Sequence, residues 1–171
     1  MKRPAAWLLL LAAALPLLHC GYRLSGRGRN LPPGAATIAI PAFKNQSPRP
    51  QADQLVTFAV RDEFVRRSRL RLVESQGDAD LLLEGTITAF SAAAISYSRA
   101  GAANQYEVRL ALDVRLVDMR SGAIAFQGSG LTFRETYATD NADFFSQETG
   151  SLARIAAKFA SSVVSTILEN F

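Results

Sequence analysis

The sequence predicts an α+β fold, a two-layer sandwich in which two α-helices pack on one face of a mixed, mostly antiparallel β-sheet. Three long segments after residue 80 alternate apolar and polar residues, and glycine-containing turns separate them, which is typical of an antiparallel meander. A strand–helix–strand pattern precedes them and predicts two parallel strands joined by a right-handed crossover. An amphipathic C-terminal helix supplies the second layer that a half-apolar sheet needs.

Composition narrows the class of protein further. At 171 residues the chain has the length of one domain, and 49% hydrophobic with 20% charged residues is typical of a globular fold. The single cysteine, Cys20, and the single histidine, His19, exclude an internal disulfide, a zinc site built on both residue types and a histidine-dependent triad in the body of the protein. No glycine-rich nucleotide fingerprint is complete. The sequence therefore predicts a binding or assembly protein without a cofactor, not an enzyme.

Residues 1–19 read as a secretory signal peptide. A positive start, Met1-Lys2-Arg3, precedes the apolar run 5–18, which is shorter than the roughly 20 residues of a membrane-spanning helix. Cys20 follows at once, in the position of the lipidated cysteine of a bacterial lipobox, although the preceding residue is usually small and here is His19. We predict lipidation at Cys20, which would anchor the chain through several acyl chains. The alternative is an ordinary signal peptide with an incidental cysteine.

The predicted boundaries follow from this anchor. Residues 20–34 are rich in glycine, proline and arginine and read as a lipidated N-terminal tether. Residues 35–171 read as a single α+β domain. Gly21 stands where an aspartate would retain a lipoprotein in the inner membrane of enteric bacteria, which favours the periplasmic side of the outer membrane.

The first half of the domain alternates short strands with one helix. Residues 37–40 predict a buried strand stopped by Pro41, residues 44–50 a loop, and residues 70–73 a second strand. Residues 51–67 predict a helix that buries the row Val56, Val60 and Phe64. Phe58 and Val65 fall on another side of this helix. Imperfect amphipathicity is the favoured explanation, and a second buried face is the alternative.

The long strands follow. Residues 81–97 predict a strand with its apolar side chains at odd positions throughout, residues 98–104 a hairpin loop around Gly101, and residues 106–116 the most regular strand. Ser121-Gly122 predicts the next turn. The last strand, 123–137, changes parity across Gly128-Ser129-Gly130, which predicts a β-bulge there.

The final helix is predicted to begin from a cap within residues 140–146 and to run to near Asn170. Its apolar stripe has helical spacing and should pack on the sheet: Leu152, Ile155, Ala156, Phe159, Val163 and Ile167. Two pairs of close carboxylates, Asp78 with Asp80 and Asp140 with Asp143, could hold a cation, but helix capping is the commoner role.

The charge is uneven along the chain. Residues 20–71 contain ten basic and three acidic residues, whereas residues 72–171 contain seven basic and twelve acidic ones. A basic first third indicates anionic partners such as lipid headgroups or phosphates. Export from the cytoplasm argues against nucleic acid.

Arg99 is the candidate binding residue. It is the only charged residue between Glu84 and Glu107, at the tip of the predicted hairpin, so no acidic residue close in sequence neutralises it. A guanidinium group forms bidentate, charge-assisted bonds to phosphate. The alternative is a solvated loop arginine.

Several of these segments resemble the LptE family of lipopolysaccharide-assembly lipoproteins in order and spacing. They are Cys20-Gly21-Tyr22-Arg23-Leu24, residues 38–45, 80–87 and 106–108, Phe133-Arg134-Glu135-Thr136-Tyr137 and the following Phe144-Phe145. The resemblance implies two helices on a mixed sheet and a stable complex with LptD, the outer-membrane β-barrel that exports lipopolysaccharide. It also implies that the protein plugs this barrel, assists its assembly and binds lipopolysaccharide.

The resemblance further implies basic contacts to lipopolysaccharide. Arg99 matches the contact in the central hairpin loop, whereas the position before the final helix reads Phe144-Phe145-Ser146-Gln147 and has no basic residue. The runner-up class is another outer-membrane lipoprotein that acts in secretion-pore or surface-fibre assembly. A periplasmic enzyme, the third class, would need a cleft with a perturbed titratable group.

Overall fold

The computed structural model describes residues 31–138 and 144–169. These residues form a six-stranded sheet and two α-helices, which confirms the predicted α+β class. The strands are β1 (Thr37–Ala39), β2 (Lys44–Asn45), β3 (Arg71–Val73), β4 (Leu81–Tyr97), β5 (Ala103–Asp118) and β6 (Ile124–Ala138), and the helices are α1 (Ala52–Arg67) and α2 (Phe144–Glu169). The predicted signal peptide, residues 20–30 of the predicted tether with Cys20, and Asp140 and Asp143 lie outside the described residues.

The sheet has a short parallel part and a long antiparallel part. Its order is β3-β1-β4-β5-β6, with β2 beside β4. β1 is parallel to both β3 and β4, as the strand–helix–strand pattern predicts. β2 also pairs in parallel with β4, within the segment predicted as a loop. Its two side chains are exposed, so this strand leaves no apolar signal in the sequence.

The predicted bulge in β6 is confirmed. Between the pairs Leu112–Leu131 and Val114–Gly128, β6 has one residue more than β5. Gly130 takes a positive φ of 64° there, and its N–H donates to Asp113 Oδ1 at 2.7 Å. The Asp113 carboxylate thus satisfies a backbone donor at the bulge.

The prediction for β4 is wrong in its second half. β4 has one extra residue between Ile87 and Ala89 relative to β5, so it also contains a bulge. Before the bulge the odd positions are buried, as at Leu83 and Ile87, and after it the even positions turn inward, beginning with Phe90. Side chains at odd positions beyond the bulge therefore face away from the core.

Helix α1 buries one face within this chain. Val56, Val60 and Phe64 are buried as predicted, whereas Phe58 and Val65 are 66% and 60% exposed. Polar contacts join α1 to the segment between β1 and β2. Thr57 Oγ1 accepts from the Phe43 N–H at 3.0 Å, and Arg61 Nε donates to the Ile40 carbonyl at 2.8 Å.

Helix α2 is the core helix. The whole predicted stripe is buried, and the Phe159 ring packs edge-to-face on Phe43 and Phe133 at centroid distances of 6.2 and 5.6 Å. Ser146–Glu169 is long and apolar enough to cross a membrane, but 56% of its apolar 18-residue stretch is buried inside the fold. The stripe therefore covers the sheet.

Gly85 allows this packing from the sheet side. It lies in the middle of β4, and a Cβ added there would overlap the buried ring of Phe43. The missing side chain lets Phe43 lie between β4 and Phe159.

Candidate functional site

The hairpin tip between β4 and β5 presents Arg99. The Ser98 N–H donates to the Ala102 carbonyl at 2.7 Å, and the Gly101 N–H donates to the Ser98 carbonyl at 2.9 Å. Gly101 has a positive φ of 79°, which glycine adopts without strain. Arg99 thus lies in a tight, backbone-bonded loop at the end of two long paired strands.

Arg99 is exposed and forms no ion pair with any described residue. The other two arginines of the hairpin each have a carboxylate partner: Arg109 pairs with Glu107, and Arg115 pairs with Glu84. Only the charge of Arg99 is therefore left for an external anion on this hairpin, and guanidinium suits phosphate or carboxylate.

Two apolar side chains that the sequence did not single out lie close to Arg99 along the chain. Ile95 is 49% exposed and Tyr97 is 64% exposed. The odd-position alternation assigned to β4 would have buried both. The β4 bulge turns the odd positions after it away from the core. The sequence does not reveal the bulge, because the alanine and serine residues at positions 91–94 fit either face of a strand.

Four of the seven basic residues that the structure describes in the basic first third form ion pairs within the fold. Arg49 lies 3.1 Å from Glu148 on α2, and Arg66 and Arg67 both pair with the buried Glu63 of their own helix. Arg61 approaches Glu74 at 3.9 Å. These pairs weaken the prediction that this segment as a whole binds an anion.

Of the close carboxylates Asp78 and Asp80, the carboxylate of Asp80 binds backbone N–H groups. Asp80 Oδ2 accepts from the Ala36 N–H at 2.7 Å and the Thr37 N–H at 3.0 Å, and Arg120 Nη2 donates to Asp80 Oδ1 at 2.7 Å. The Ala36 amide, the Arg120 guanidinium and the Thr37 amide hold the pKa of Asp80 well below its usual range. The Asp80 carboxylate thus binds the backbone at the start of β1. It does not cap a helix, so the expected helix-capping role is wrong for this residue.

No group of His, Cys, Asp and Glu side chains within residues 31–138 and 144–169 could hold a metal ion. An open groove of about 240 Å³ lies over β4, β5 and β6, and its lining includes Lys44, Glu84, Asp113 and Arg115. Small-molecule sites are mostly apolar, whereas this lining carries charges of both signs. The stretch that the resemblance aligns with a second basic contact, Phe144-Phe145-Ser146-Gln147, forms the first turn of α2 and contains no basic residue.

The fold defines a class of small α+β domains that several solved bacterial proteins share, two of them named as lipoproteins. Uncharacterised lipoprotein B from Nitrosomonas europaea matches with a TM-score of 0.53 at 16% identity, covering 86% of this chain and 90% of that one. A minor lipoprotein from Acinetobacter baumannii matches with 0.52 at 12%, covering 80% and 94%. PelC from Paraburkholderia phytofirmans, solved as a dodecamer, matches with 0.52 at 14%, covering 84% and 96%. At these identities the likeness shows the fold alone.

The family model of LptE, described as lipopolysaccharide-assembly, matches residues 35–167. The chain therefore belongs to the LptE family, and the resemblance found in the sequence is confirmed. LptE is a non-enzymatic family of cell-envelope lipoproteins whose members partner LptD-type proteins in lipopolysaccharide transport. A search among curated proteins found no match.

Proposed function

We propose that this protein is an outer-membrane lipoprotein, anchored on the periplasmic side through Cys20, that acts with an LptD-type β-barrel in placing lipopolysaccharide at the cell surface. It plugs the barrel, assists its assembly and binds lipopolysaccharide through Arg99. The membership in the LptE family supports the partner and the pathway. The observation that carries the binding role is that Arg99 is exposed at the hairpin tip and has no ion pair with a described residue.

The geometry supports a phosphate of lipopolysaccharide as the ligand of Arg99. Because Arg109 and Arg115 already have carboxylate partners, Arg99 is the guanidinium of the hairpin that has none in the part of the chain that the structure describes. The tip also lies at the far end of β4 from its junction with β1. It is therefore placed to meet a ligand without disturbing the core.

Arg99→Asp is the direct test of the binding role. We expect weaker lipopolysaccharide binding at low ionic strength and a smaller loss as salt is raised, because salt screens exposed charges. Arg134→Asp is the matched control, since Arg134 is an exposed arginine on β6 without an ion pair to a described residue. Titration of both purified variants and of wild type gives the comparison. Equal affinities of wild type and Arg99→Asp at low salt would remove Arg99 from the site.

Co-purification tests the partner. The tagged full chain, extracted from its native envelope in detergent, should bring down a large β-barrel protein in a defined complex. The chain also shares its fold with PelC, which was solved as a dodecamer. A ring of copies without a barrel would contradict the proposed partner and favour the secretion-pore class.

A further inference from the structure

At the end of β4 the bulky apolar side chains are exposed and the small ones are partly buried, the reverse of the usual arrangement. Large apolar side chains normally face the core of a half-buried strand. Here Ile95 and Tyr97 are 49% and 64% exposed, while the small Ala94 and Ser96 are partly buried. The two large side chains lie on either side of Ser96 on the same strand, and both are exposed.

Irregular pairing maintains this arrangement. β4 has an extra residue after Ile87, and the β4–β5 register shifts again between Ala94 and Ser96 and between Ser96 and Tyr97. Bulges change the direction in which a side chain points, and they are enriched near functional sites. All three register shifts lie before or next to Ile95 and Tyr97. The irregular pairing of β4 with β5 therefore determines which side chains are exposed at this end of the strand.

Little of the described chain covers these side chains. Tyr97 lies opposite Ala103 in the register, and a methyl group shields only a small part of a phenol ring. β1 and β2 pair with β4 only at residues 81–82 and 86–87. Within the part of the chain that the structure describes, the last third of β4 therefore has a neighbour strand on one side only.

The charge next to this surface selects the kind of partner. Arg99 follows Tyr97 by two residues and has no ion pair with a described residue. A purely apolar partner would remove water from the guanidinium without supplying a counter-charge, which is costly. A small soluble anion would leave Ile95 and Tyr97 uncovered. An anionic lipid supplies both an acyl chain and a phosphate.

We propose that Ile95 and Tyr97 form an apolar subsite beside Arg99 that takes acyl chains of lipopolysaccharide while Arg99 takes a phosphate of the same molecule. The inference rests on the proposed function, because it assumes that Arg99 binds lipopolysaccharide. It adds that the tip recognises the lipid part as well as the charge.

The fluorescence of an introduced tryptophan can report on binding at this subsite. Trp7 is the only tryptophan and falls in the predicted signal peptide, so the mature chain would contain none. Tyr97→Trp places one reporter in the subsite. Phe58→Trp is the matched control, because Phe58 is an exposed aromatic residue on α1 with 66% exposure. Both mature lipidated proteins are held in phosphatidylcholine nanodiscs, so that free detergent does not compete.

Three probes are added in separate titrations: lipopolysaccharide, fully deacylated lipopolysaccharide that keeps its phosphates, and nanodiscs containing phosphatidylglycerol. We expect the Tyr97→Trp emission to shift to the blue with lipopolysaccharide alone, and the Phe58→Trp emission to stay constant. A shift with the deacylated form, with phosphatidylglycerol or before any addition would overturn the subsite. Equal shifts at positions 58 and 97 would also overturn it, because they indicate nonspecific insertion.

Affinity separates failure of the inference from failure of the proposed function. The double variant Ile95→Ser/Tyr97→Ser should bind lipopolysaccharide at least about tenfold more weakly, which corresponds to about 1.4 kcal/mol. It should bind the deacylated form as wild type does, whereas Arg99→Asp should weaken both. If the double variant binds lipopolysaccharide normally and Arg99→Asp does not, the subsite is wrong and the function stands. If wild type binds neither form, both are wrong.

Discussion

Asp80 connects the start of the domain to the turn after β5. Its carboxylate accepts two backbone N–H groups, from Ala36 and Thr37, and the Arg120 guanidinium. Arg120 Nη2 also donates to the Gly34 carbonyl at 2.6 Å. We call Asp80 and Arg120, with these backbone contacts, the β1 clip. The sequence could not predict the clip, because its members are far apart in the chain and are neither apolar nor periodic.

Asp80→Asn should remove a pH-dependent part of the stability. The folded-state pKa of Asp80 is lowered, first by the Ala36 amide and then by Arg120, so the ionised carboxylate stabilises the fold above its unfolded pKa of about 3.9. This contribution decreases as the pH falls below that value. The Tm difference between wild type and variant should be largest near neutral pH and should narrow below about pH 4. The control is Asp62→Asn on the exposed side of α1, and a gap that is constant with pH would contradict the prediction.

Gly85 is a second residue whose role depends on the tertiary structure. Gly85→Ala should destabilise the domain by about 1–3 kcal/mol, because the added methyl group overlaps the Phe43 ring and forces it to move. Chemical denaturation measures the change, and Gly101→Ala is not a suitable control because of its positive φ. Gly77→Ala is suitable, since an added Cβ there would make only an ordinary contact with Ser75. Equal free energies of unfolding for wild type and Gly85→Ala would contradict this packing.

At the scale of the elements, sequence periodicity predicted the buried face correctly where bulky apolar and polar residues differ clearly between the two faces. β5 and α2 alternate bulky and polar residues at their own periods, and both have the predicted buried faces. The β6 bulge was predictable because Phe126 and Leu131 are bulky on both sides of it, so the change of parity is visible. The β4 bulge was not predictable, because the small residues that follow it are compatible with either face of the sheet.

The docking of α2 accounts for much of the packing. Phe159 is fully buried and contacts an aromatic ring on each side, Phe43 and Phe133. Phe159→Ala should therefore cost roughly 3–5 kcal/mol through lost burial and a cavity. Thermal melts followed by circular dichroism measure it. Phe58→Ala is the control on an exposed site, and an unchanged Tm for Phe159→Ala would show that the ring does not stabilise the fold.

At the scale of the whole molecule, the predicted tether and the hairpin tip leave the domain at opposite ends. β1 begins beside the first residues of β4, whereas Arg99 follows the last residue of that strand. The 17 residues of β4 span about 55 Å at about 3.3 Å per residue. The part of the predicted tether outside the described fold, residues 20–30, reaches at most about 40 Å when fully extended. Because this reach is shorter than β4, a lipid on Cys20 would not let the domain stand upright on its hairpin tip at the membrane surface.

Cys20→Ala should convert the protein into a soluble periplasmic domain. The described core begins at β1, 17 residues after the cysteine, so loss of the lipid leaves the fold intact. Fractionation in cells that lack the barrel partner measures the change, and mass spectrometry of the wild-type N-terminus shows whether lipid is attached. A variant that stays in the membrane fraction, or an unmodified wild-type mass, would contradict the prediction.

The position of the candidate site could be predicted, but its extent could not. Arg99 stands out because a hairpin tip with one isolated charge is visible in the sequence. The odd-position alternation predicted for β4 would place Ile95 and Tyr97 on the buried face, since alternation alone cannot locate a bulge among small residues. Whether the other arginines are free depends on partners distant in sequence, such as Glu84 for Arg115.

If Cys20 carries the predicted lipid, the β1 clip is the first part of the domain to bear a force that acts through it. β1 lies between two parallel neighbours, and the tether joins it at the clip. A force directed along the tether and parallel to β1 would first stretch the bonds of Asp80 and Arg120. It would then shear the ladders on both sides of β1 together, whereas a sideways pull would unzip them one bond at a time. A lipid on Cys20 would thus pull where β1 is held on both sides, and the hairpin tip at the far end would not bear the load.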